Sequence, residues 1–340
     1  MTSSDNDLTS DSVRSVDEIR ALPFEFRGDG TEYFKIWIVN VLLTIATLGI
    51  YSAWAKVRNN RYFYSNTFVD GSSFSYLAKP MQILKSRIIA VLVLVAYIVL
   101  TSLQPMLAVL LLIILLLIFP FIFNQTRAFQ LRHTAYKNIQ FRFKGDYGEA
   151  FAVLFLWPLF GLLSLGILYP MAILRFNKYL IENSSYGTTT FKFRATYKDY
   201  LAIFIGVIGF GLGTAILVAL VSMVLPAFAM IVVMIMYLVI FVYIVTSTTN
   251  LFYSASTLSE HGFTCEMNIA GYAKVLCINF CLIVVTLGLY LPAAKVRITK
   301  YISSCLTLKA KGSLDDFAAA EQENVSAFGE QFGEVMDFGG

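Results

Sequence analysis

Charge is scarce in this chain of 340 residues: Asp, Glu, Lys and Arg make up 14%, against 57% hydrophobic residues and a mean hydropathy of +0.68. A soluble domain carries nearly twice that charged fraction, which excludes a freely soluble globular protein. Two stretches hold no charged residue at all, Ile88 to Phe123 and Leu201 to Asn250. Each is long enough for two passes of the ~20 apolar residues that cross a bilayer. Neither contains a carboxylate, His or Lys of the kind that relays protons or cations at mid-membrane, which argues against an ion-coupled pump. A glycine-rich phosphate loop ending in Lys-Ser/Thr is missing, so no ATP-driven step is implied. No Gly-x-Ser-x-Gly or Cys/His arrangement points to nucleophilic catalysis, and neither enzymatic activity nor a cofactor is expected. The two histidines, His133 and His261, lack metal-ligand spacing and read as exposed loop residues. Cys277 and Cys281 share a helix face but find no second ligand pair; they read as small buried hydrophobes. An apolar signal segment is also missing at the amino terminus. Residues 1–22 are polar, rich in Ser and Asp, and read as a disordered arm.

What the chain does have is one phrase three times: Thr47-Leu48-Gly49-Ile50-Tyr51, Ser164-Leu165-Gly166-Ile167-Leu168 and Thr286-Leu287-Gly288-Leu289-Tyr290. An Arg follows each Gly at one offset (Arg58, Arg175, Arg297), and a Tyr at another (Tyr62, Tyr179, Tyr301). A strand-like phrase precedes each Gly at a fixed distance: Phe24-Glu25-Phe26, Phe141-Arg142-Phe143 and Phe263-Thr264-Cys265. Agreement on both sides of the Gly indicates an internal repeat. The reading is therefore an all-α polytopic membrane protein with three internal repeats, transmembrane hairpins plus re-entrant or short membrane segments, and short cytoplasmic β-strands. Its parts are the arm (1–22), repeat 1 (23–80), a hairpin (81–129), repeat 2 (140–197), a second hairpin (198–250), repeat 3 (262–312) and an acidic tail (313–340).

Basic residues flank the charge-free hairpins and are absent from their tips, Gln104-Pro105 and Leu225-Pro226. The positive-inside rule then puts all three basic stretches, and the amino terminus, in the cytoplasm. A full crossing before each Gly would invert successive repeats. Keeping them alike requires the segment to dip in, turn at Leu-Gly and return as the basic helix. Seven ordinary crossings with one unit flipped is the rival arrangement.

The run Thr47-Leu48-Gly49-Ile50-Tyr51, Trp54-Ala55-Lys56-Val57-Arg58 and Asp70-Gly71 resembles the YjgN-like family of bacterial inner-membrane proteins, a domain of unknown function. The resemblance spans about Phe24 to Lys311; the second repeat departs from it at Ile173 and Leu168, which stand where Lys and Tyr stand in the first. It implies a Gram-negative inner membrane and brings no activity with it.

Two constellations are candidate sites. Arg58, Arg175 and Arg297 with Tyr62, Tyr179 and Tyr301 could grip an anionic headgroup or solute, or could anchor the chain at the interface. Gly49, Gly166 and Gly288 could line a constriction or simply serve as turns. Asn40 and Asn279 occupy equivalent positions and are expected to bond a neighbouring helix. The functional expectation is a passive or gated conduit or carrier for a small solute. The alternatives are a scaffold that recruits a cytoplasmic protein partner and an inner-leaflet lipid-binding protein. Membrane lipids and further copies of the chain, which would complete a ring left open by the lack of a third long hairpin, are the expected partners; nucleic acid is not.

Overall fold

The computed structural model describes residues 19–337, with side chains through residue 326. The polar arm before residue 19 lies outside the described residues. Most of the chain is helical, as expected, but the all-α reading is wrong. Eleven short strands form a single antiparallel sheet: β1 Ile19–Pro23, β2 Glu25–Phe26, β3 Thr67–Val69, β4 Ser72–Tyr76, β5 Thr134–Tyr136, β6 Ile139–Phe143, β7 Ser184–Tyr186, β8 Thr189–Phe193, β9 Ser256–Leu258, β10 His261–Cys265 and β11 Leu306–Lys311. Their spatial order is β1-β11-β10-β9-β8-β7-β6-β5-β4-β3-β2. The two end strands, β1 and β2, are separated in the chain by Phe24 alone, so the sheet curls into a nearly closed barrel. β1 pairs with β11 (Ile19↔Lys311), a ladder that the Phe24 N–H continues by donating to Leu306 O at 2.9 Å, and β2 pairs with β3 (Glu25↔Phe68). Residues 19–22, assigned to the arm by composition, are thus part of the closing strand.

The unit that recurs is smaller than the tripled phrase suggests, and it occurs five times. Each unit is a strand, a helical hairpin and a returning strand paired to the first. Three hairpins are short: α1 Gly30–Ala46 with α2 Ser52–Ser65, α5 Tyr147–Leu163 with α6 Tyr169–Glu182, and α9 Ile269–Val285 with α10 Leu291–Ser304. Two are long: α3 Pro80–Leu103 with α4 Pro105–Arg132, and α7 Tyr197–Val224 with α8 Pro226–Ser254. The two charge-free hairpins therefore stand in the same register as the three copies between which the sequence seemed to place them.

Local chemistry explains the hairpins. Asp29, Asp146 and Asn268 cap the short ones, each side chain accepting from two backbone N–H groups of the first turn. Gln82 Oε1 and Asp199 Oδ2 accept the N–H of Lys79 and Thr196 at the long ones. At the long tips Gln104 (φ −147°) and Leu225 (φ −138°) are held extended by the proline that follows, which then opens the return helix. At the short tips Leu48, Leu165 and Leu287 take φ of 49°, 53° and 50°, and the following glycines φ of 93°, 93° and 91°. Each of those glycine N–H groups reaches back to a carbonyl of the outgoing helix at 2.8 Å. The segment before each Gly and the basic helix after it are two legs of one hairpin.

Because every unit returns its strand beside the one it left, all five helical hairpins leave from one rim of the barrel. The tight β-turns, such as Asp70-Gly71 and Lys137-Asn138 with positive φ at both positions, occupy the other rim. Each hairpin touches the next, and the last, through α10, touches the first, through α1. The ring closes within one chain; the gap from which self-association was expected is not there. A final helix, α11 Leu314–Asp337, lies against the turn rim.

Candidate functional site

Alternation along the strands turns residues of every returning strand inward, among them Val69, Tyr136, Tyr186, Leu258 and Leu308, all buried in one cluster. The outgoing strands contribute Phe24, Phe74, Phe141, Phe191 and Phe263, each five positions before the cap of its hairpin. From Phe24 to Phe263 successive rings follow one another around the wall at 6.3, 6.4, 6.4 and 6.4 Å. The rings do not meet at the centre. They surround a lumen of about 430 Å³, within the ~300–1,000 Å³ of ordinary small-molecule sites.

The lining carries no Asp, Glu, Lys or Arg. Two of its tyrosine hydroxyls are spent on the wall itself: Tyr136 Oη donates to Val69 O at 2.9 Å, and Tyr186 Oη to Tyr136 O at 3.0 Å. Burial pushes both phenols above their usual pKa, so they stay neutral donors. Toward the helical rim the lining continues onto Phe63, Tyr64, Tyr253, Ile302 and Ser303.

At the turn rim α11 closes the barrel. Leu314 and Phe317 face the lumen, and Ala318 packs beside them. Glu321, 3% exposed, accepts from Thr188 N (2.7 Å), Thr188 Oγ1 (2.9 Å) and the Thr189 hydroxyl. Lys137 Nζ bridges Asp315 (2.6 Å) on the helix and Asp70 (3.3 Å) on a neighbouring turn. The segment that composition marks as an acidic tail begins as a stopper over its first two turns.

The residues singled out in the sequence fall elsewhere. Tyr62, Tyr179 and Tyr301 sit at the roots of the short hairpins and tie the two legs together. Tyr62 Oη accepts from Asp29 N (2.8 Å) and Tyr301 Oη from Asn268 N (3.2 Å), while Tyr179 Oη lies within hydrogen-bond reach of Asp146 O (3.2 Å) on its own hairpin and of Asn124 Oδ1 (2.5 Å) on the adjacent long one. Arg175 lies over the Trp157 ring at 5.3 Å; Arg297 lies over Tyr290 at 5.3 Å and donates to Asn279 Oδ1 at 3.3 Å. All three contacts stay inside the arginine's own hairpin, and Arg58 is exposed. Asn40 donates to Asn59 Oδ1 (2.9 Å) and Asn279 to Ala294 O (3.3 Å), each across its hairpin. Gly49, Gly166 and Gly288 are at three separate tips, beside leucines 94–95% exposed. The structure does not bring the arginines or the glycines together.

Two expectations are corrected. Cys277 and Cys281 are exposed on the short helix α9, not buried. His261 is not a loop residue: it opens β10, is 4% exposed and lines the lumen. Sequence reading missed the lumen as a whole. The signal that could have revealed it is the constant spacing from each Phe to the next helix cap, which Phe74 and Phe191 share with the three repeats.

Four helices, Pro80–Leu103, Pro105–Arg132, Tyr197–Val224 and Pro226–Ser254, are long and apolar enough to cross a membrane. A family model described as a bacterial protein of unknown function (DUF898) matches residues 21–335. Among curated proteins, the chain is 31% identical over 163 residues to an inner membrane protein YjgN of Escherichia coli O157:H7, covering 48% of this chain and 40% of that one. It is 34% identical over 146 residues to the protein of the same name from Salmonella typhimurium, covering 42% and 36% respectively. The matches thus span well under two thirds of those relatives' length. No solved structure matches the chain significantly. The naming of these relatives and the four apolar helices agree on a membrane protein.

Proposed function

The chain belongs to this family of bacterial proteins of unknown function, and from that premise we propose that it is an inner-membrane protein whose barrel takes up an apolar, lipid-like molecule from the bilayer. The observation that carries this reading is the uncharged lumen of about 430 Å³ walled by aromatic rings. In the proposed orientation the barrel lies on the cytoplasmic face. Lys79, Lys85, Arg87, Arg127 and Arg132 flank the root of one long hairpin while its tip carries no charge, as the positive-inside rule requires. The short hairpins, of 17 and 14 residues in the first case, reach only ~25 Å from the barrel at 1.5 Å per residue and would end within the ~30 Å hydrocarbon layer.

The membrane helices support entry from the lipid. The four long helices are almost wholly uncovered by the rest of the protein, with 0–11% of their most apolar stretches buried. Hairpins so thinly covered would be surrounded by lipid chains, and those chains would meet the helical rim of the barrel. Burying an apolar chain among aromatic walls gains roughly 25 cal/mol per Å² removed from water. A conduit for a small anion finds less support, since no cation faces the lumen and an unpaired buried charge is costly.

The test is native mass spectrometry of the full-length protein released from membranes in mild detergent. A lipid-sized adduct is expected, extractable into organic solvent, and it is lost when Val69→Trp fills the lumen. Retention of the adduct at unchanged stoichiometry in folded Val69→Trp protein would refute the reading.

A further inference from the structure

We infer that the molecule in the barrel enters polar end first and presents an uncharged oxygen acceptor, a carbonyl or an alcohol at the head of a long apolar tail, to His261. The inference rests on the reading of the lumen as a binding site. His261 is buried at the start of β10, on the turn rim, the end of the lumen farthest from the helices. Its Nδ1 accepts the Lys311 N–H at 3.2 Å. A backbone amide can only donate, so Nδ1 carries no proton and the neutral ring holds its proton on Nε2. Burial keeps the ring neutral by lowering its pKa; the opposing pull comes from Glu260, whose carboxylate is itself paired to Lys311 Nζ at 3.3 Å.

Nε2 is therefore a fixed N–H donor, and among the described residues it has no acceptor. Its neighbours do not supply one: the Phe317 ring meets the imidazole edge-on at 4.7 Å, and the rest of the nearby lining is Leu258, Leu308, Phe263 and Leu314. His261 is buried as a residue while Nε2 keeps some accessible surface beside the lumen, and a donor that opens onto an apolar space without an acceptor is costly, which is why such groups are almost always matched. The stopper shuts the near end, so an acceptor carried by a membrane ligand reaches His261 only by passing down the lumen first.

The lack of a lining cation decides the charge of that acceptor. A carboxylate or phosphate would be buried with one neutral partner and no counter-charge, which is strongly unfavourable. A phospholipid inserted tail first would leave Nε2 unmatched. What remains is a neutral head: a ketone, a quinone ring or an alcohol, with the ring system of a quinone also suited to the phenylalanine wall.

Competition for tritiated 1-dodecanol on the full-length protein in nanodiscs tests this. A benzoquinone with a decyl tail is expected to compete as well as dodecanol itself. Dodecane should need roughly fivefold more, the worth of one hydrogen bond, and dodecanoate at pH 8 should do no better than dodecane. His261→Phe should erase the gap between dodecanol and dodecane. Dodecanoate matching dodecanol, or dodecane matching dodecanol in the wild-type protein, would overturn the inference without any variant. So would a gap that survives in His261→Phe. Dodecanol binding that persists in Val69→Trp would instead remove the lumen as the site, and with it both readings.

Discussion

Replacing Glu321 with Ala should loosen α11 from the barrel without unfolding the rest of the protein. Among the described residues two polar contacts hold this helix, and their magnitudes differ. The Asp315–Lys137 pair has a carboxylate whose side chain is largely in water, and exposed ion pairs contribute about 0–1 kcal/mol. Glu321 is buried and receives three hydrogen bonds from the Thr188-Thr189 turn. Bonds to a charged acceptor contribute about 1.5–3 kcal/mol each, less whatever water regains at the vacated turn. A net loss of about 2–4 kcal/mol in the docking of α11 follows, while Phe317, Leu314 and Ala318 keep some hold through apolar burial. Hydrogen exchange read by mass spectrometry reports this directly. At 1.4 kcal/mol per factor of ten, peptides from α11 should exchange about 30- to 700-fold faster, with peptides from the strands little changed. Exchange of α11 within threefold of wild type would show that the buried carboxylate is not the latch, and acceleration across every strand would show that α11 is integral to the barrel.

Further predictions follow from individual contacts. A Cβ on Gly145 would lie 2.1 Å from Tyr179 Oη, so Gly145→Ala should cost about 1–3 kcal/mol; in a Tyr179→Phe background much of that cost should vanish, and additive thermal shifts would refute the clash. Cysteines at the exposed, equivalent positions Arg61, Lys178 and Lys300 should all react with an impermeant thiol reagent from the same side of the membrane; labelling of Lys178→Cys from the opposite side would exclude five returning hairpins. The buried, neutral His261 has its pKa below the ordinary 6.5. The unfolded chain therefore takes up a proton there before the folded one does, and stability should fall as pH drops below about 6.5, a slope that flattens in His261→Gln. Asp315 is held below its usual 3.8 by Lys137, so that pairing should persist above pH 4 and fail only in stronger acid, seen as faster exchange in α11.

The parts of the fold that were legible in the sequence are those whose partners lie close along the chain. Leu-Gly turns, the Gln104-Pro105 and Leu225-Pro226 breaks and the charge-free helices each depend on neighbours within a few residues. The return of every segment to one face was one of two arrangements open from the sequence, where basic residues flank the charge-free hairpins; strand pairing at the roots is what returns each hairpin to one rim. The tyrosines were visible as a repeating pattern, but their job was not: whether Tyr179 binds a headgroup or Asn124 depends on where an adjacent hairpin is rooted.

Tertiary structure alone decided the rest. Strands of two to six residues have too little length to declare a sheet, and their partners lie across whole hairpins; the closing pair joins Ile19 to Lys311. Phe74 and Phe191 stand outside the tripled pattern because the long hairpins that follow them differ so much from the short ones in length. Only once each strand finds its neighbour do five phenylalanines become one wall. The same closure turns His261 from a polar residue in a turn into a buried donor, and the acidic tail into the barrel's stopper. Local sequence specifies helices through contacts a few residues apart, whereas a barrel and its lumen exist only when strands far apart in the chain meet around the same axis.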